Sequence, residues 1–147
     1  MKTAVNTNPA HNQVARLMVS FLVTALILLT YTSAAKASGL LTISPKQASA
    51  LIRTEKGNPD FVILDIRTPA EYKAGHLEDA ALLDYYSKDF LKKMRALDKS
   101  KTYLIYCRSA NRSTRALGLV KDMGFASLYN MDRGIIGWGQ NGFPIVR

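Results

Sequence analysis

The strongest constraint on how this chain can fold is the stretch Tyr103-Leu104-Ile105-Tyr106-Cys107-Arg108-Ser109-Ala110-Asn111-Arg112-Ser113. An apolar, aromatic run leads into the only cysteine of the chain, small or basic residues follow from Arg108 to Ser113, and a helical pattern comes next. A strand that delivers a thiol to a tight loop, with the loop opening a helix, aims the loop N–H groups and the positive helix end at one spot. A thiolate or an anionic ligand placed there gains about 0.3–1 kcal/mol from the helix dipole, and ~2 kcal/mol when partly buried. Cys107 is therefore the candidate nucleophile. The competing expectation for a lone cysteine is a buried, inert thiol.

The flanking chain alternates between strand and helix signals. Leu40 to Ile43 reads as a short strand, and Ser44-Pro45-Lys46-Gln47 as a helix start with Ser as N-cap, Pro at N1 and Gln at N3. Phe61-Val62-Ile63-Leu64-Asp65 is a continuous apolar run ending in a carboxylate, as expected of a buried parallel strand. Thr68 to Tyr72 opens a short helix that Gly75-His76-Leu77 closes, and Ala81-Leu82-Leu83 is a second, shorter strand. Ser87 is placed to cap a helix with Phe90, Leu91, Met94 and Leu97 on one face. Lys88, Lys92, Lys93, Arg95, Lys99 and Lys101 are expected on its solvated side or exit.

Thr102 to Tyr106 is expected to be the central strand. Ala116, Leu119, Val120 and Met123 form a helical stripe beyond the loop, with Gly124 placed to end it. Phe125 to Met131 returns as a last strand, Gly134 to Trp138 as a final short helix, and Asn141-Gly142 as a turn. The alternation predicts an α/β fold: a central parallel sheet with helices on both faces. His76 reads as a structural turn residue, Trp138 as core, and Glu71 and Tyr72 as helix-start and packing residues. Asp65 and Arg67, at a strand end, are expected to support the site structurally.

The formal net charge is +9, and its location matters. Lys2, Arg16 and Lys36 are the only charged residues before Ser38, so the 17 basic and 11 acidic residues of 38–147 give +6. That balance favours small anions or acidic partner surfaces. A nucleic-acid partner is not expected, because no basic motif is interleaved with aromatics.

Residues 17–35 carry no charge, and Ala35-Lys36-Ala37 offers a small-x-small cleavage site before Ser38. Residues 1–37 thus have the layout of a signal peptide. The alternative is an uncleaved membrane anchor, since this apolar length (~28 Å as helix) just spans a bilayer. In either case residues 38–147 are expected outside the cytoplasm, periplasmic or secreted if the segment is cut. Membrane contact is expected only if it is not. In such an oxidising compartment a single unpaired thiol points to a reactive group or intermolecular pairing.

Three separated stretches share a further likeness. Asp65-Ile66-Arg67-Thr68-Pro69-Ala70-Glu71-Tyr72 with Gly75-His76-Leu77 resembles the first signature of rhodanese domains, the thiosulfate sulfurtransferases. Cys107 to Ser113 resembles their active-site loop, and Arg133-Gly134-Ile135-Ile136-Gly137-Trp138 with Gly142-Phe143-Pro144 their C-terminal box. The resemblance covers about residues 40–147. Two positions depart from the family pattern: Ala110 stands where such loops often carry Gly, and Arg133 where a Gly–Gly pair is common. Ala110 restricts the loop if that position needs a positive φ, whereas Arg133 is expected only to add a surface side chain.

The resemblance implies persulfide chemistry. Cys107 attacks the outer sulfur of an anionic donor such as thiosulfate, and an external thiol, cyanide or a protein acceptor removes it. Arg108 and Arg112, with the loop amides of Arg108, Ser109, Ala110, Asn111, Arg112 and Ser113, are the expected anion-binding groups. Helix N-termini and neighbouring Arg lower thiol pKa values from about 8.5 to about 3.5–7.5. No metal or cofactor is expected, since no Cys/His ligand spacing or Gly-rich phosphate loop occurs. The loop is one residue shorter than that of the cell-cycle dual-specificity phosphatases, which resemble rhodaneses in fold, and so forms a cradle small for phosphate. A rhodanese-like sulfur carrier or redox-sensing module with little turnover is the remaining alternative.

Overall fold

In the computed structural model, which describes residues 39–147, the apolar runs pair into one parallel sheet. The elements follow in the order β1 (Gly39–Ile43), α1 (Pro45–Thr54), β2 (Phe61–Asp65), α2 (Pro69–Ala74), β3 (Ala81–Leu82), α3 (Phe90–Ala96), β4 (Thr102–Tyr106), α4 (Asn111–Val120), β5 (Ser127–Met131) and α5 (Gly134–Gln140). The sheet order is β1-β5-β4-β2-β3, so the strand leading to Cys107 is central, as expected, and all its residues are buried. The expected signal peptide or anchor of residues 1–37 lies outside the described residues.

Side chains alternate across the sheet and split the core into two layers. Leu64, Tyr103, Ile105 and Leu128 pack with Phe90 and Met94 of α3 and with Ala116 and Val120 of α4. Ile63, Leu104, Tyr106 and Met131 pack with Ala48 of α1 and with Ile135 and Trp138 of α5. Helices therefore cover both faces. At 6 to 10 residues each, they are shorter than the roughly 12–15 residues an isolated helix needs in water. Burial against the sheet holds them, at about 1.5–3 kcal/mol per fully covered large apolar side chain.

Two helix starts carry the full capping box: Ser44 with Gln47, and Thr68 with Glu71. Two expectations need correction, and a third gains detail. Ser87 does not cap α3; its carbonyl and hydroxyl accept from Phe90 N–H and Asp89 N–H in the turn ahead of the helix, and Asp89 stands at the N-cap. Leu119 is 52 % exposed, because the buried face of α4 runs through Ser113, Ala116 and Val120 and leaves Leu119 off its edge. Lys99 and Lys101 are not merely solvated. Lys99 Nζ donates to the carbonyls of Met94, Arg95 and Leu97 at 2.7–2.9 Å and lies over the Phe125 ring, closing α3 at its C-terminus. Lys101 Nζ donates to the Pro59 carbonyl at 3.0 Å.

Candidate active site

Parallel strands end on one edge of the sheet, and two of those ends build the site. Asp65 closes β2 opposite Tyr106, the last residue of β4 and the one before Cys107. Asp65 is fully buried and Arg67 nearly so. The Asp65 carboxylate accepts from Arg67 Nε at 2.9 Å, Arg67 Nη2 at 2.6 Å and the Tyr106 hydroxyl at 2.7 Å. Arg67 Nη2 also donates to the Gly75 carbonyl, and the Tyr106 hydroxyl accepts from Leu77 N–H. Burial, then the Asp65 charge, push the Tyr106 phenol far up, so it stays a donor. Both Asp65 carboxylate oxygens are engaged, so the cluster locks the β2 end to the chain entering α2, while Arg67 also borders a recess beside the loop.

The second strand end is built differently. Cys107 follows β4, and Ala110 stands at the N-cap of α4 in the left-handed region at φ 72°. Ala110 has no side-chain acceptor, so the first-turn amides of α4 lack the usual cap. The Cys107 sulfur takes that place: the N–H groups of Ser113, Ser109 and Arg112 stand where they favour its anion. The Ser113 hydroxyl lies 3.6 Å from Sγ and 3.1 Å from the Ala110 carbonyl, and its single proton can turn to either. Burial pushes the thiol pKa up, but the amides and the Ser113 hydroxyl outweigh it, and the net shift is downward. The lowering comes chiefly from backbone and hydroxyl donors, and the Arg112 guanidinium is also coupled to the Cys107 charge.

The last helix fixes the loop from outside. Ile135 N–H donates to the Cys107 carbonyl at 2.9 Å and Ile136 N–H to the Arg108 carbonyl at 3.1 Å. With those carbonyls turned outward, the loop amides are free to face the sulfur. The approach is close: a Cβ on Gly134 would stand 2.3 Å from the Cys107 oxygen, and Gly134 itself has φ 54°. Only glycine fits there without displacing the loop.

The six loop residues divide into distinct settings. Arg108, Ser109 and Asn111 are exposed on the rim, while Ala110 and Ser113 are buried, with Ser113 beneath the sulfur rather than open to a ligand. Arg112 does not stand free. Its Nη1 and Nη2 each lie 2.7 Å from a different oxygen of Glu71, a bidentate ion pair joining the starts of α4 and α2. The Arg112 guanidinium holds the Glu71 carboxyl down at about 2. Tyr86 lies beside this pair, its ring centroid 5.6 Å from the Arg112 guanidinium carbon. Cys107 itself is 1 % exposed, so a reacting sulfur must come to the floor of the loop.

Two recesses flank the loop and share Arg108 and Glu71. One, about 440 Å³, is polar and includes Tyr86, Ser109, Arg112 and Arg115. The other, about 290 Å³, is largely apolar and includes Arg67, Ile135, Ile136 and Ile145. Glu71, expected to be a helix-start residue, does that and also borders both recesses. Its pairing with Arg112 spans 41 residues and has no local spacing signal. Gly134 could have been singled out only as part of the C-terminal box.

His76 and Trp138 are structural. His76 stacks on Tyr72 at 3.8 Å, and its backbone exchanges two hydrogen bonds with Val146. Trp138 is 5 % exposed and donates to the Pro144 carbonyl. Arg133 does place its side chain at the surface, but its backbone sits at φ 58°. Both departures from the family pattern therefore fall at left-handed positions, where a side chain costs about 1–2 kcal/mol.

The chain is similar to known proteins in sequence and in fold. The chain is 37 % identical over 87 residues to a sulfurtransferase of Allochromatium vinosum, covering 59 % of this chain and 79 % of that one. It is 38 % identical over 97 residues to the thiosulfate sulfurtransferase GlpE of Pseudomonas entomophila, covering 65 % and 82 %. The fold matches the crystal structure of a rhodanese-related protein from Thermoplasma volcanium with a TM-score of 0.61, at 23 % identity, over 71 % of this chain and 96 % of that one. The rhodanese-like domain description matches residues 44–141, and the chain belongs to that family.

Proposed function

We propose that this protein is a sulfurtransferase that carries sulfane sulfur on Cys107 between an anionic donor, thiosulfate or a persulfide, and a thiol or cyanide acceptor. The observation that carries this reading is the thiol seated at the uncapped start of α4, where amides of Ser109, Arg112 and Ser113 favour its anion. The names of the relatives support the reaction class. In the first step the Cys107 thiolate bonds to the outer sulfur of thiosulfate, the S–S bond of the donor breaks, and sulfite leaves with the electron pair. The persulfide anion left on Cys107 keeps the charge that the amide ring stabilises. In the second step an external thiolate or cyanide takes the outer sulfur and returns Cys107 as thiolate. Cys107 is the only cysteine of the chain, so no internal thiol resolves the persulfide.

Residues 1–37 act in this reading as an export signal or anchor, and the domain works outside the cytoplasm. Treatment of the full chain with thiosulfate should add about 32 Da, one sulfur bound to the nucleophile, and Cys107→Ser should abolish the gain. An equal gain in the variant would overturn the assignment. A second reading, a carrier with little turnover, is favoured by the 1 % exposure of Cys107. Steady-state thiocyanate formation from thiosulfate and cyanide separates the two, because a carrier loads once and stalls.

A further inference from the structure

The geometry points to Glu71 as the residue that selects the sulfur donor by charge, disfavouring dianionic thiosulfate relative to donors carrying one negative charge. This rests on the sulfur-transfer reading above and refines it. Arg112 is the cation at the start of the loop helix, yet both of its terminal nitrogens are taken by Glu71 at 2.7 Å. Glu71 cannot easily swing aside: its Oε2 also accepts from Thr68 N–H at 3.0 Å and from the Thr68 hydroxyl at 3.1 Å. The pair is largely covered, with side-chain exposures of 15 % for Arg112 and 28 % for Glu71, so water screens it only in part.

An incoming anion therefore meets an ion pair at this point rather than a full positive charge. Glu71 also borders both recesses, so its carboxylate stands beside either approach to the loop. Repulsion from that carboxylate doubles when the donor charge doubles. Arg108 and Arg115 line the polar recess without an ion-pair partner among the described residues, and they attract either donor from the rim.

A pair of donors with the same reacting atoms isolates the effect. Thiosulfate carries two charges and releases sulfite; the methanethiosulfonate anion carries one and releases methanesulfinate. In both, the Cys107 thiolate bonds to the terminal sulfur, the S–S bond breaks towards the leaving group, and charge is conserved. Loading rates of the full chain are measured by intact mass for both donors, and the readout is their ratio, thiosulfate over methanethiosulfonate. A change in thiol pKa or in loop order cancels in that ratio.

Glu71→Gln keeps a side chain able to complete the Thr68 capping box and should raise the ratio on the order of tenfold, an increase that shrinks with added salt. Arg112→Gln leaves Glu71 unpaired and should lower the ratio below that of the parent chain. Should Glu71→Gln fail to fold by thermal melt, the Arg112 variant still decides. Ratios unchanged from the parent, with both donors loading, mean that the pair only bridges two helices and overturn the proposal. Loading by neither donor on folded parent protein overturns the sulfur-transfer reading itself.

Discussion

The two strand ends at the working edge of the sheet hold their buried polar groups by opposite means. At the end of β2, Asp65, Arg67 and Tyr106 neutralise and bond one another. At the end of β4, the Cys107 sulfur faces amides and a hydroxyl, and the Arg112 guanidinium coupled to its charge is itself paired with Glu71. A closed network of charges fixes geometry and is inert. A ring of fixed dipoles around an ionisable atom stabilises its anion without neutralising it, and so leaves it reactive. The residues that differ are few, but the first arrangement is scaffold and the second is chemistry.

The largest effect should come from opening the closed network. Asp65→Ala leaves Arg67 buried and uncompensated, and should cost about 3–5 kcal/mol in denaturant unfolding. The folded fraction should still alkylate Cys107 at close to the parent rate; a parallel collapse of thiol reactivity would erase the distinction between the two ends. The next effect comes from the loop clamp. Gly134→Ala drives a Cβ into the Cys107 carbonyl and should slow persulfide loading roughly 10- to 100-fold, about 1.4–2.7 kcal/mol of barrier. A parent-like loading rate would show that the amide ring does not depend on α5. The smallest effect should be a gain. Ala110→Gly relieves the side chain at φ 72° and should stabilise the fold by about 1 kcal/mol, read as a higher denaturant midpoint at unchanged slope.

Much of the scaffold is legible in the sequence, because its causes are local. Phe61 to Asp65 and Thr102 to Tyr106 are apolar runs that only a doubly covered strand buries well, and they form adjacent strands of the sheet. The Ser44–Gln47 capping box follows from residues three apart. What stays hidden depends on chain segments far apart. Glu71 belongs to one helix start by sequence and to a second by its reach to Arg112. Lys99 looks like one of a run of surface lysines until three carbonyls converge on it. Ser113 is expected to offer its amide to an anion, and nothing local shows that the helix also turns its hydroxyl inward beneath the sulfur. The setting of Arg108 and Arg112 is hidden for the same reason: Arg112 feels the charge of Cys107 but is also paired with Glu71, and Arg108 stands on the rim.

The account stands on the ionisation of Cys107, and its alkylation rate against pH tests that directly. A thiolate reacts and a thiol does not, so a lowered pKa moves the rise in rate to lower pH. The parent chain should give a midpoint below the free-thiol value of about 8.5, with Ser113→Ala moving it upward. A midpoint at or above the free-thiol value would contradict the claim that the amide ring outweighs burial.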